Sequence, residues 1–92
     1  MKTINEFIES KLNYASAARD FKKELAETLE IDVDKIKQIK VIPLASDTRV
    51  KYVIEIHLTG SNRFKAENVS KVEGLSIITP NRLEIEVWEL NL

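Results

Sequence analysis

No cysteine occurs in the chain. That excludes disulfide scaffolds, thiolate-bound structural zinc and thiol nucleophiles. It also favours a reducing compartment, since a secreted domain of this size generally needs covalent or metal staples. Glycine and proline are scarce, two of each, which argues against a loop-rich fold and leaves no glycine-rich phosphate loop. No run approaches the about 18 consecutive apolar residues of a membrane span. The first residues carry Glu6 and Glu9 and lack an apolar stretch, so no secretory signal is expected and the expected location is cytoplasmic. Neither sign of charge is in excess: the formal net charge is −1, and acids and bases interleave along the chain. Composition therefore lends no support to a surface that neutralises phosphates.

What is present is 92 residues, 43% of them apolar. That is enough for one core, and a single α+β domain over residues 1–92 is expected. Thr3-Ile4-Asn5-Glu6 has the form of a capping box. Ile4, Phe7, Ile8, Leu12, Ala15, Ala18, Phe21, Leu25 and Leu29 then keep one apolar helical face. A straight helix over 3–30 would run about 42 Å at 1.5 Å per residue, too long for a body with a radius of gyration of about 12–13 Å. A break is therefore expected near 13–16, with Asn13 ending one segment and Ser16 capping the next. An unbroken helix would project and imply a partner. Ile31 to Ile36 reads as a connector, with Asp32 capping a short turn and Ile31, Val33 and Ile36 pinned to the core.

The period then changes to two. Ile39 to Ile42 reads as a strand, and Ala45 to Thr48 as a turn. Arg49 to Leu58 is the clearest strand, with Val50, Tyr52, Ile54, Ile56 and Leu58 on one face and Lys51, Val53, Glu55 and His57 on the other. Phe64 to Val72 is a short helix stopped by Gly74. Leu75 to Thr79 and Leu83 to Glu89 form a hairpin across Pro80-Asn81. The order α(α)ββαββ predicts an N-terminal helix and a short second helix packed on a four-stranded, mainly antiparallel sheet.

Chemistry-bearing residues are few. His57, the lone histidine, has Glu55 as its nearest neighbour on the same face, and a general base needs more than that. Asp32 and Asp34 open like a calcium loop, but Lys37 stands where the loop needs glycine and Pro43 where it needs glutamate. Glu84 and Glu86 alternate with core residues as a solvated strand face does, placed to pair with Lys51 or Arg49. Asn68-Val69-Ser70 matches a glycosylation sequon that only a secreted chain would use. Catalysis is not expected, nor are a metal, a cofactor or a membrane partner.

Residues Glu24 to Ile36 resemble the middle of a helix-turn-helix of the repressor type. Leu25, Ala26 and Leu29 fall at the packing positions of its first helix, and Ile31 and Ile36 at those of its turn and second helix. The resemblance implies a nucleic-acid-binding regulator, which the basic clusters at residues 19–23 and 35–40 would serve. The segment departs from that pattern at Glu30, where such turns carry glycine, and at Asp32 and Asp34, where a recognition helix presents cations or amides.

Trp88 is the most distinctive residue. It falls on the charged side of the last strand, where Val53, Ile42 and Ile78 would join it in an apolar strip. Tryptophan is enriched at contact hot spots, and exposed apolar patches mark contact sites. If instead the N-terminal helix lies over this face, Trp88 is core. The expected function is a non-catalytic binding or adaptor protein. It would make protein contacts through Trp88, Val53, Ile42 and His57, with a different protein or with a second copy as a homodimer.

Overall fold

The computed structural model describes residues 4, 7–8, 14–44 and 49–88. Helix α1 spans Tyr14–Leu29 and a three-residue 3-10 turn follows at Val33–Lys35. Strands β1 (Ile36–Pro43) and β2 (Val50–Leu58) come next, then the short helix α2 (Ala66–Val69), then β3 (Leu75–Thr79) and β4 (Arg82–Trp88). The sheet order is β1-β2-β4-β3 and every neighbouring pair is antiparallel. The expected architecture is thus the observed one.

Alternation on β2 and β4 builds the core. Ile54, Ile56, Leu58, Leu83, Ile85 and Val87 are buried on one side of the sheet. Phe21, Leu25, Ala26 and Leu29 are buried on α1 at helical spacing and join them in one cluster. Ile4, Phe7 and Ile8 are helical too, and Ile4 and Phe7 are buried in the same cluster. The Phe7 and Phe21 rings stack with centroids 5.1 Å apart, a geometry that contributes about 0.5–1.5 kcal/mol beyond area burial. The expected capping box at Thr3, the break at Asn13 and the turn at 45–48 lie outside the described residues. Ser16 lies inside α1 and is not its N-cap.

Helix α1 ends in a Schellman motif, with Ile31 N–H donating to Ala26 C=O at 3.0 Å and Glu30 N–H to Glu27 C=O at 3.4 Å. The motif requires a left-handed residue, normally glycine, and here Glu30 takes it with φ 57. That conformation costs a non-glycine residue about 1–2 kcal/mol. The Glu30 carboxylate accepts from Lys65 Nζ at 3.0 Å and from Asn68 Nδ2 at 2.9 Å. Those bonds tie the end of α1 to α2 and hold the Glu30 carboxyl below its ordinary pKa, Lys65 first and Asn68 second. Asn68, the sequon residue, is buried in this contact.

Asp32 caps the 3-10 turn as expected, its Oδ1 accepting from Asp34 N–H at 3.1 Å. Val33, expected in the core, is 42% exposed, while Ile31 is half-buried and Ile36 buried. Strand β1 starts at Ile36, so no recognition helix follows the turn and the helix-turn-helix resemblance ends there. Helix α2 stops at Val69, well short of Gly74. Gly74 instead opens β3 at φ 81, so close to the Glu86 backbone that a Cβ would collide with its carbonyl. Thr79 pairs with Arg82 across the Pro80-Asn81 turn. Asn62 Nδ2 donates to Thr59 C=O and Pro80 C=O, both at 3.2 Å, fixing the loop after β2 to that turn.

Candidate functional site

Helix α1 contributes to the cluster on the inner face of the sheet, as do Phe64 and Val72 on either side of α2, and among the described residues no helix lies on the outer face. The strand register therefore assembles the outer face from alternate residues. Gln38, His57, Arg82 and Thr79 form one row, and Lys40, Glu55, Glu84 and Ser76 the next. Ile42 and Val53 stand opposite one another, with Glu86 beyond them. Last, a bulge at Lys51 sets Val50 opposite Trp88. Strict alternation places Val50 with the inward residues, and the extra residue of the bulge is what pairs it with an outward one.

The two ends of this face differ in chemistry. At the β4 N-terminal end the polar side chains pair with one another, although the buried Arg82 Nε has no hydrogen-bond partner. His57 Nε2 lies 3.2 Å from Glu55 Oε1, and Arg82 donates to Glu55 Oε2 at 2.8 Å and to Glu84 Oε1 at 3.1 Å. The His57 hydrogen bond lowers the Glu55 pKa, with help from the charges of Arg82, His57 and Lys40 and against the opposing effect of burial. Arg82 thus bridges β2 to β4, a partner for the carboxylates that sequence reasoning missed; Lys51 and Arg49 were expected in its place. Its signal was present in the outward alternation Arg82, Glu84, Glu86.

His57 therefore has a carboxylate partner, and that carboxylate, Glu55, is shared with the Arg82 guanidinium. A depression of about 360 Å³ beside His57 has Thr79 as its one hydroxyl, and that hydroxyl is engaged with Asn81 Oδ1 at 2.7 Å. Among the described residues no group of three His, Cys, Asp or Glu side chains converges on a metal position. None of the described helices is long and apolar enough to cross a membrane.

At the opposite end exposed apolar groups stand beside the exposed Glu86. Trp88 is 41% and Ile42 37% exposed, and Val53 between them is half-buried. The register sets Ile42 opposite Val53, and Trp88 two residues beyond Val53's partner Glu86 on β4. His57 does not join them: it pairs with Arg82 at the far end of β4, about 20 Å from Trp88 at the ~3.4 Å rise of a strand. Ile78 also lies at that far end, in the bulge of β3 between Ile77 and Thr79, and leaves the strip. No family model, curated protein or solved structure matches the chain.

Proposed function

We propose that this chain is a non-catalytic binding protein whose contact surface is the apolar end of the outer sheet face, with Trp88 as anchor and Ile42 and Val53 beside it. One observation carries the reading. Trp88 stands 41% exposed on the face opposite the core, whereas Phe7 and Phe21 are buried and Tyr52 and Phe64 are half-buried. Desolvating a half-exposed indole is a strong source of contact energy, and Glu86 alongside supplies the polar rim that contact patches share.

The alternative of a nucleic-acid regulator rests on the basic clusters. Arg19 and Lys23 share one groove with Glu27 and Asp32, an arrangement that cancels the field a phosphate backbone requires. No observation favours it as a second reading.

Capture from lysate, with and without nuclease treatment, by wild-type and Trp88→Ser baits tests the proposal. The expected result is a protein retained by the wild type and lost by the variant, with both baits melting alike. Identical retention by the two baits, or capture that nuclease abolishes, overturns it.

A further inference from the structure

The two edges of the sheet are built differently. Edge strand β1 carries Lys37 and Lys40, has a bulge at Lys37 and ends on Pro43, which has no N–H to offer. Charge, bulge and proline are the devices by which natural sheets prevent a foreign strand from adding on. Edge strand β3, Leu75-Ser76-Ile77-Ile78-Thr79, carries no charge and no proline. Like β1 it has one bulge, at Ile78, so the two edges differ in charge and proline.

Strand β3 is also unsatisfied in three ways. Glu86 N–H donates to Gly74 C=O at 3.1 Å. Alternation in an antiparallel ladder then turns Ser76 toward β4 and the peptide groups of Ile77 toward the free edge. Ile77 and Ile78 are 43% and 49% exposed. Next to them runs an open groove of about 540 Å³ lined by Phe64, Val69, Val72, Leu75 and Ile77. The same edge therefore presents backbone donors and acceptors, protruding apolar side chains and a hollow able to take such side chains. An element that carries both halves of a contact is complementary to itself, which is the requirement of an isologous two-fold interface.

We infer that β3 pairs antiparallel with β3 of a second copy, centred on Ile77, joining two four-stranded sheets into one continuous sheet. The two Ile77 residues exchange N–H···O=C bonds, and each Ile77 side chain packs at the other copy's groove. No like charges are opposed, because β3 has none. The same pairing at β1 would oppose lysines and lack the Pro43 donor. A two-fold axis perpendicular to the sheet keeps both helical layers on one side and both Trp88 strips on the other, so the dimer presents its outer contact surface twice. The inference rests on the reading of the chain as a contact-making protein, and it names the partner and the edge.

Sedimentation velocity over rising protein concentration tests it with wild type, Ile77→Lys and Ile77→Pro. The lysine opposes two charges at the two-fold axis. The proline removes the N–H that faces the free edge without touching the β3–β4 ladder, so it reads the pairing even if the lysine variant folds poorly. The expected result is a wild-type dimer whose dissociation constant rises at least about tenfold in each variant, with unchanged circular dichroism. A wild-type chain that stays monomeric at every concentration overturns the inference, as does a dimer that both variants keep. If Trp88→Ser dissolves the dimer while both Ile77 variants keep it, self-contact runs through the outer face: the edge falls and the proposed contact surface stands.

Discussion

The inner and outer faces of this sheet are made by the same strands, residue by alternate residue, yet they do opposite work. On β4, Leu83, Ile85 and Val87 are buried against α1, while Arg82, Glu84, Glu86 and Trp88 between them face outward. Stability is concentrated on one side because apolar burial stabilises by about 25 cal/mol per Å² and the helix supplies that burial on that side only. The outer face is left free to vary. Its polar end carries its own ion pairs, and at its apolar end Trp88 and Ile42 stay exposed.

The sharpest way to probe this asymmetry is to cut the inner face. Phe21 is fully buried and stacks on Phe7. Phe21→Ala removes that ring from the core and should destabilise the protein by about 3–5 kcal/mol, read as a shift in denaturant midpoint at constant slope. A loss below about 1 kcal/mol would mean that the Phe7–Phe21 contact is not part of the folded core. Gly74→Ala tests the seam between β3 and β4. The left-handed φ of 81 and the nearby Glu86 carbonyl both oppose a side chain, and a loss of about 1–3 kcal/mol is expected in the same measurement. A neutral substitution would show that β3 can shift away from β4.

Much of this asymmetry is legible in the sequence, and what is not has identifiable causes. Period-two alternation on Tyr52 to Leu58 and on Leu83 to Val87 marks the inner face correctly, because a strand has no other way to bury half its residues. Register is another matter. Bulges at Lys37, Lys51 and Ile78 each insert one residue, and periodicity carries no trace of them. That is why Val50 reads as an inward residue although it pairs with Trp88. Ile78 reads as part of the Trp88 strip for want of the sheet order and register. The His57–Glu55 contact is local and could be read from spacing. Arg82 reaches Glu55 across strands distant in sequence, so only the register reveals it. Glu30 breaks the glycine rule for a left-handed helix end, and its compensating partners, Lys65 and Asn68, come from another element altogether.

The polar end of the outer face should contribute a pH dependence that the apolar end lacks. Glu55 is held below its ordinary value of 4.5, first by the His57 hydrogen bond. A carboxylate with a lowered folded pKa binds fewer protons folded than unfolded, so its contribution is present above about 4.5 and is lost as pH falls through the folded value. Wild type should therefore melt higher than Glu55→Gln near neutral pH, and the gap should close on acidification below 4.5. A gap that stays constant through that range would mean that the pair adds packing but no charge interaction. Glu30, lowered by Lys65 and Asn68, adds to the wild-type acid sensitivity and is unaffected by that substitution.

The smallest stability effect is expected where the largest contact effect is proposed. Trp88 ends β4, pairs with Val50 beyond a bulge and is 41% exposed, so Trp88→Ser removes a side chain that the core does not enclose. Its cost to folding should stay below about 1 kcal/mol, a fraction of the Phe21→Ala cost, although indole is the larger ring. The indole fluorescence of the wild type, the chain's one tryptophan, offers a second measure: a soluble quencher should reach it in the free protein and be excluded when a partner covers the face. If Trp88→Ser instead destabilises as severely as Phe21→Ala, or if the quencher is excluded in the free chain, the outer face is already covered in the monomer. The two sides of the sheet would then differ in polarity alone and not in what they do.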